Sequence, residues 1–302
     1  MATRPAWVND ELFPFESRFA DVGGARVHYI DEGKGPVFLC LHGNPTWSFL
    51  YRHIVRGLSD RFRCIAVDYP GFGLSTPPAG YRYTIAEHAR VVEGFIEHLD
   101  LHEVTMMVQD WGGPIGFWVA TRHPQRFGAF VIGNTWAWPI SGDRATEWFS
   151  RTLGSASLGG LLVKEADIFT NVFMRAGIKG KELTVDERFM YKRPHPTAES
   201  RVPLHVMPRE ILAAGDLLAE VESGLGRVAD KPALIVWGDK DPAFREPQRL
   251  RWERTFANHR TEILHGASHY IQEDAPEEIV AAIKQWWPTT GLSVRRGRSA
   301  DA

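Results

Sequence analysis

The hydrophobic and polar positions of the chain alternate between two textures. Short runs that are apolar at nearly every position, Val37 to Leu41, Cys64 to Val67, Val104 to Val108, Phe127 to Ile132 and Pro232 to Trp237, read as buried strands, and Thr261 to Leu264 reads as the last of them. Between them, apolar residues recur at three- and four-residue spacing, as in Trp47 to Leu58, in Ala89, Val92, Ile96 and Leu99, in Arg249 to Phe256, and in Ile279, Ile283 and Trp286. These stretches predict helices. Strands apolar on both faces that alternate with helices imply a parallel sheet covered on both sides. Phe15 to Asp31 departs from this, alternating apolar and polar around Gly23-Gly24, and predicts an antiparallel hairpin at one edge. Thr84-Ile85-Ala86-Glu87 has capping-box spacing, and Asp274-Ala275-Pro276-Glu277 places aspartate and proline as start signals of a closing helix.

From about Ala137 to Leu212 the texture changes to helical and aromatic, with no strand-like run. The expected organisation is a sheet core made of 1–136 and 213–302, interrupted by a helical cap over 137–212. Such an insertion would lie over the carboxyl ends of the strands, where open α/β sheets bind ligands.

Composition narrows the function. With 302 residues, 44% hydrophobic and 24% charged, the chain suits one large domain or a core with an insertion. A net charge of -2 without a long basic stretch argues against nucleic acid and anionic membrane as partners. Cys40 and Cys64 fall in strand-like runs, so a disulfide framework is not implied and a reducing cytoplasm is the expected compartment. The start, MATRPAWVNDELFPF, lacks an apolar signal core, and no run approaches transmembrane length. Ser293 to Ala302 is small, polar and locally basic, which reads as a disordered tail or a contact within a homo-oligomer.

The chemistry centres on Val104 to Gly116, VTMMVQDWGGPIG. An apolar run, an abrupt turn at Gln109-Asp110-Trp111 and a glycine-bearing helix start make a nucleophile elbow, the signature of an α/β-hydrolase fold with a mostly parallel eight-stranded sheet. Asp-x-Gly-Gly alone is a common turn or helix cap. Two later residues supply the context, because Asp110, Asp241 and His269 each follow a strand, in the order nucleophile, acid, histidine. Asp239 competes with Asp241 for the acid; the Trp-Gly-x-x-Asp-Pro setting favours Asp241. An aspartate nucleophile displaces a leaving group from saturated carbon and gives an ester that water must then cleave. Asn44, in His42-Gly43-Asn44-Pro45, and Trp111 bring backbone N–H groups for an oxyanion hole and neutral side-chain donors that suit a departing halide.

On these motifs the chain resembles the haloalkane dehalogenases, over nearly its whole length: His-Gly-Asn-Pro-Thr from His42, Asp-Tyr-Pro-Gly-Phe-Gly-Leu-Ser from Asp68, Val-Gln-Asp-Trp-Gly-Gly-Pro-Ile-Gly from Val108, Pro-Thr-Ala-Glu-Ser-Arg from Pro196, Pro-Arg-Glu from Pro208 and Ser-His-Tyr-Ile-Gln-Glu-Asp from Ser268. The resemblance implies Asp110 as nucleophile, His269 as base, Asn44 and Trp111 as the halide-binding pair, and detoxifying hydrolysis of haloalkanes without metal or organic cofactor. In part of the family the acid is a glutamate after an earlier strand; Gly133-Asn134-Thr135 offers none, which leaves Asp241. Trp138, Phe149, Phe169, Phe173, Met207 and Tyr270 are the candidates for the substrate pocket. An epoxide hydrolase shares the nucleophile, but usually protonates its alkoxide with two cap tyrosines, and the expected cap holds only Tyr191. A ligand-sensing receptor on the same scaffold would leave the neutral donors without a use.

Overall fold

The computed structural model describes residues 4–140 and 142–292, so the tail beginning at Ser293 lies outside the described residues. Eight strands form one sheet: β1 (Arg18–Val22), β2 (Ala25–Glu32), β3 (Val37–Leu41), β4 (Arg63–Val67), β5 (Val104–Asp110), β6 (Phe127–Thr135), β7 (Ala233–Gly238) and β8 (His259–Leu264). Their spatial order is β1-β2-β4-β3-β5-β6-β7-β8. The hairpin β1/β2 and the β2/β4 pair are antiparallel, and every other pair is parallel. This matches the α/β-hydrolase architecture expected from the strand pattern.

Helices cover both faces. α1 (Arg52–Leu58) and α11 (Pro276–Trp286) pack together on one side, and α2 (Ile85–His98) and α3 (Gly112–Arg122) on the other. Two buried clusters result, one built on Leu39, Val108 and Ile132 with α2 and α3, the other on Phe38, Met107 and Val131 with α1 and α11. Alternate residues of the same strands thus feed opposite cores, which is why these runs are apolar throughout. Between β6 and β7 the described residues form α4 (Arg144–Leu153), two π-helical turns (Gly160–Glu165 and Phe169–Phe173), α5 (Met174–Ala176), α6 (Val185–Lys192), α7 (Val202–Ala213) and α8 (Gly215–Gly224). α4 lies along α7, whereas α8 returns to α3, where Gly224 sits against Thr121. α9 (Glu246–Thr255) links β7 to β8, and α10 (Ile271–Asp274) precedes α11.

Two local readings need correction. β8 is not a buried strand: only Leu264 is buried, and it begins at His259, where pairing with Ala233 of β7 fixes its register. Asp274 does not cap the closing helix; it ends α10, and its carboxylate accepts N–H groups of Ser268, Lys179 and Gly180.

The order of the strands positions the site. β4 lies on one side of β3, and β5 followed by β6 on the other, so the chain leaves β3 and β5 in opposite directions, the switch point at which open α/β sheets bind ligands. Asn44 follows β3, and Asp110 ends β5.

Candidate active site

At the end of β5 the backbone of Asp110 adopts φ 50°, a left-handed conformation that only a sharp turn imposes on a residue with a side chain. The turn is crowded. A Cβ on Gly43 would strike the Asp110 carboxylate and one on Gly112 the Leu41 carbonyl, so both positions need glycine for the loops to meet. The Thr135 hydroxyl donates to the Asp110 carbonyl at 2.5 Å, and the Asn44 backbone N–H donates to Asp110 Oδ1 at 2.8 Å. The Trp111 backbone N–H is a second donor to the same carboxylate. The two N–H groups expected to form an oxyanion hole therefore converge on Asp110 itself.

His269 stands after β8 with Nε2 3.8 Å from Asp110 Oδ2 and Nδ1 3.0 Å from Asp241 Oδ2. Asp241, with its side chain fully buried, also accepts from Asn134 Nδ2 at 2.9 Å and from the Ala243 N–H at 2.7 Å. Asp239 is elsewhere: it accepts from the Gly266 N–H at 2.8 Å and pairs with exposed His265. Of the two aspartates, Asp241 is the one in contact with the His269 imidazole. Burial pushes the Asp110 carboxyl above its ordinary value, against the pull of His269 and the two N–H groups. For Asp241, burial acts upward too, but the charge and hydrogen bond of His269, with the hydrogen bonds from Ala243 and Asn134, together hold the carboxyl low. Burial lowers His269, and Asp241 followed by Asp110 raises it above the usual histidine value.

Several residues here were not singled out from the sequence. Asn134 holds Asp241 and also bonds the Gly238 backbone in both directions. Fully buried Gln109 donates to the His269 carbonyl at 3.0 Å and lies 3.3 Å from Nε2. Phe244 stacks on the imidazole at 5.7 Å, Trp136 stacks on Phe244 at 5.3 Å, and Trp136 meets Trp111 edge-on at 4.7 Å. A polar residue closing an otherwise apolar strand, as at Gln109 and Asn134, is the signal that could have found the first two.

Of the pocket candidates, Tyr270 meets the His269 ring edge-on at 4.7 Å, and Phe149 and Phe169 both pack on Phe173. Met207 is fully buried in α7. Trp138 faces a different way, against Trp252 at 5.0 Å and under the Arg251 guanidinium. The buried Asn44 Oδ1 has no hydrogen-bond partner among the described residues, while Trp111 is 3% exposed beside it in the elbow. Open hollows of about 560 and 520 Å³ run along the N-terminal segment, lined by residues such as Arg4, Trp7 and Phe189 and by none of the triad.

Comparison with known proteins agrees with the geometry. The model of the alpha/beta hydrolase fold family matches residues 36–276. Haloalkane dehalogenase 2 of Mycobacterium tuberculosis is 45% identical over 278 residues, 90% of this chain and 95% of that protein. The cis-3-alkyl-4-alkyloxetan-2-one decarboxylase of Shewanella oneidensis is 32% identical over 304 residues, 97% of this chain and 95% of that protein. Among solved structures, haloalkane dehalogenase DbeA from Bradyrhizobium elkani superposes with a TM-score of 0.84 at 25% identity, covering 91% of this chain and 98% of that one.

Proposed function

We propose residue roles on one premise: the chain belongs to the alpha/beta hydrolase fold family and, within it, to the haloalkane dehalogenases, which makes it a hydrolase of carbon–halogen bonds. Asp110 is the nucleophile, His269 the base and Asp241 the acid that orients it. The observation that carries this reading is the division of labour on one carboxylate: Oδ1 is engaged by the Asn44 N–H, whereas Oδ2 faces His269.

Oδ2 attacks the carbon bearing the halogen in line. The indole N–H of Trp111 and the side-chain amide of Asn44 take up charge on the leaving halide, stabilising the transition state more than the uncharged ground state. The product is an alkyl ester on Oδ2. Water, deprotonated by His269 Nε2, then attacks Cγ, and negative charge builds on Oδ1, which already rests on the two backbone N–H groups. Collapse releases the alcohol and restores the carboxylate. The balance is haloalkane plus water to alcohol, halide and a proton, the proton leaving through His269.

Residues 137–212 act as a cap domain whose aromatic cluster at Phe149, Phe169 and Phe173 limits the length of the alkyl group. A small halogenated aliphatic substrate suits a site whose donors beside the triad, the Asn44 and Trp111 side chains, are neutral. Buried, unpaired Cys40 and Cys64 support a reducing, cytoplasmic setting, and none of the described helices is long and apolar enough to cross a membrane. The rival epoxide reading loses its one cap tyrosine, since the Tyr191 hydroxyl is committed to Glu273. The likeness to the oxetanone decarboxylase supports a second substrate class for the same nucleophile: a four-membered lactone carries its own leaving carboxylate on saturated carbon.

The deciding experiment follows halide and proton release from 1-bromobutane and 1,2-dibromoethane, beside diol formation from a terminal epoxide and alkene formation from a cis-3,4-dialkyl oxetan-2-one. Halide release lost in Asp110→Ala is the expected result. His269→Phe should trap an alkyl group on the peptide that bears Asp110. Halide release that survives Asp110→Ala would overturn the nucleophile.

A further inference from the structure

The loop that carries His269 is held from outside the sheet. The Ser268 N–H donates to Asp274 Oδ2 at 2.7 Å, and Asp274 Oδ1 accepts the backbone N–H groups of Lys179 and Gly180 at 2.8 and 2.7 Å. On the other side of the base, the Tyr270 N–H donates to the Gly177 carbonyl at 3.1 Å, and a Cβ on Gly177 would lie 2.8 Å from the Tyr270 ring. Both neighbours of His269 are therefore fastened to 177–180, a stretch of the insertion between β6 and β7.

Behind these bonds lies a buried ion network. Glu273 of α10, four residues beyond His269, accepts from both terminal nitrogens of Arg52, from the Tyr191 hydroxyl and from Lys181 Nζ, the last at 2.9 Å. Glu187 of α6 accepts from Arg52 Nη2 at 2.7 Å and Lys181 Nζ at 2.8 Å, while its second oxygen closes the capping box of α6 through the Thr184 N–H at 2.9 Å. Arg52 is 1% exposed and Glu273 2%. Ligand atoms of His53, Glu187 and Glu273 come within 4.8 Å of one another, but a guanidinium and an ammonium already answer both carboxylates there. The Trp47 indole adds a bond from the loop after β3 to the Met190 carbonyl at 3.0 Å.

Buried ion pairs contribute little net stability, because desolvation offsets their attraction. What they impose is geometry. We propose that the network of Arg52, Lys181, Glu187, Tyr191 and Glu273 positions His269 by locking 177–191 onto 268–274, so that hydrolysis of the alkyl-enzyme depends on the cap being seated. Halide departure draws on Asp110, Asn44 and Trp111, whose loops belong to β3 and β5. Water activation needs the imidazole within hydrogen-bond reach of a water beside Cγ, and a misplacement of about 1 Å slows such a step by tenfold or more. Glu187 and Tyr191 are positioning residues: they touch neither substrate nor the reacting atoms.

The proposal rests on His269 as the base, and the test separates the two. Full-length Glu187→Gln and Tyr191→Phe are mixed with 1-bromobutane in single-turnover and steady-state experiments, with His269→Phe alongside. The expected result is first-turnover bromide release within about twofold of wild type, butanol release slowed about tenfold, and a butyl group accumulating on the peptide that bears Asp110. Butanol release that keeps pace with bromide release, or both steps slowing together, overturns the proposal even where the melting temperature falls. If His269→Phe traps no ester, the base assignment itself fails; if it traps ester while the other two do not, the network alone is disproved. Should Glu187→Gln be insoluble, Tyr191→Phe, which keeps the ring, carries the test.

Discussion

In the proposed cycle the charge state of His269 follows that of its neighbours. In the free enzyme Asp241 and Asp110 together outweigh burial and raise its pKa. In the proposed mechanism alkylation converts Asp110 to a neutral ester and removes one of those carboxylates, so the imidazole pKa drops when a neutral base is needed. Asp241→Asn removes the largest raising influence. The acid limb of ester hydrolysis should therefore move to lower pH while the plateau rate falls by roughly a hundredfold or more, as expected for a disoriented base. Single-turnover alcohol release between pH 5 and 9 measures both, and an acid limb that moves up would contradict the assignment. Trp111→Phe keeps the ring against Trp136 but deletes an N–H; halide affinity and carbon–halogen cleavage should fall about tenfold, read by halide inhibition and bromide burst. At this scale the sequence singled out Asp110, Asp241, His269, Asn44 and Trp111 as candidates because each follows a strand that pattern alone reveals, and the structure brings Asp110, Asp241 and His269 together. Asn134 and Gln109 stayed hidden because their meaning lies in partners more than a hundred residues away, Asp241 and His269.

Local signals and tertiary pairing share control of the elements. The capping box foreseen at Thr84 forms, with Thr84 Oγ1 accepting the Glu87 N–H at 3.3 Å and the Glu87 carboxylate accepting the Thr84 N–H at 3.4 Å. Thr84→Ala should cost about 1 kcal/mol in urea denaturation and leave turnover unchanged, since the Thr84 hydroxyl accepts the Glu87 N–H within the cap of α2 itself. The strands apolar on both faces were legible, except that β5 and β6 run on past their apolar stretches to Asp110 and Thr135. β8 was legible only in its second half, because His259-Arg260 carries no apolar pattern and its strand character comes from pairing with β7. The closing helix was foreseen, but the aspartate expected to cap it serves the contact with 179–180 instead, a bond that no local pattern encodes.

Three buried histidines meet between the sheet core and the insertion. His42 from the loop after β3, His88 from α2 and His195 from the insertion surround the Phe72 ring, at 5.6, 5.8 and 5.6 Å. Burial pulls their pKa values down to about 4, about 3 and about 4, and the Nε2 atoms of His88 and His195 have no partner among the described residues to offset that. Each value is depressed relative to an unfolded histidine near 6.5, so between pH 6.5 and roughly 4 the unfolded chain binds more protons than the folded one. Their contribution to stability is complete above pH 6.5 and drains away below it, by roughly 1.4 kcal/mol per pH unit for each histidine. His269, raised in the folded state, acts in the opposite sense but as a single group. Because the three histidines join the sheet core to the insertion, acid should loosen both together. Thermal melts at pH 7 and pH 5 should show one cooperative transition that falls steeply before most carboxylates titrate, and His88→Gln should flatten that dependence; a melting temperature unchanged between the two pH values would mean the histidines reach solvent without unfolding.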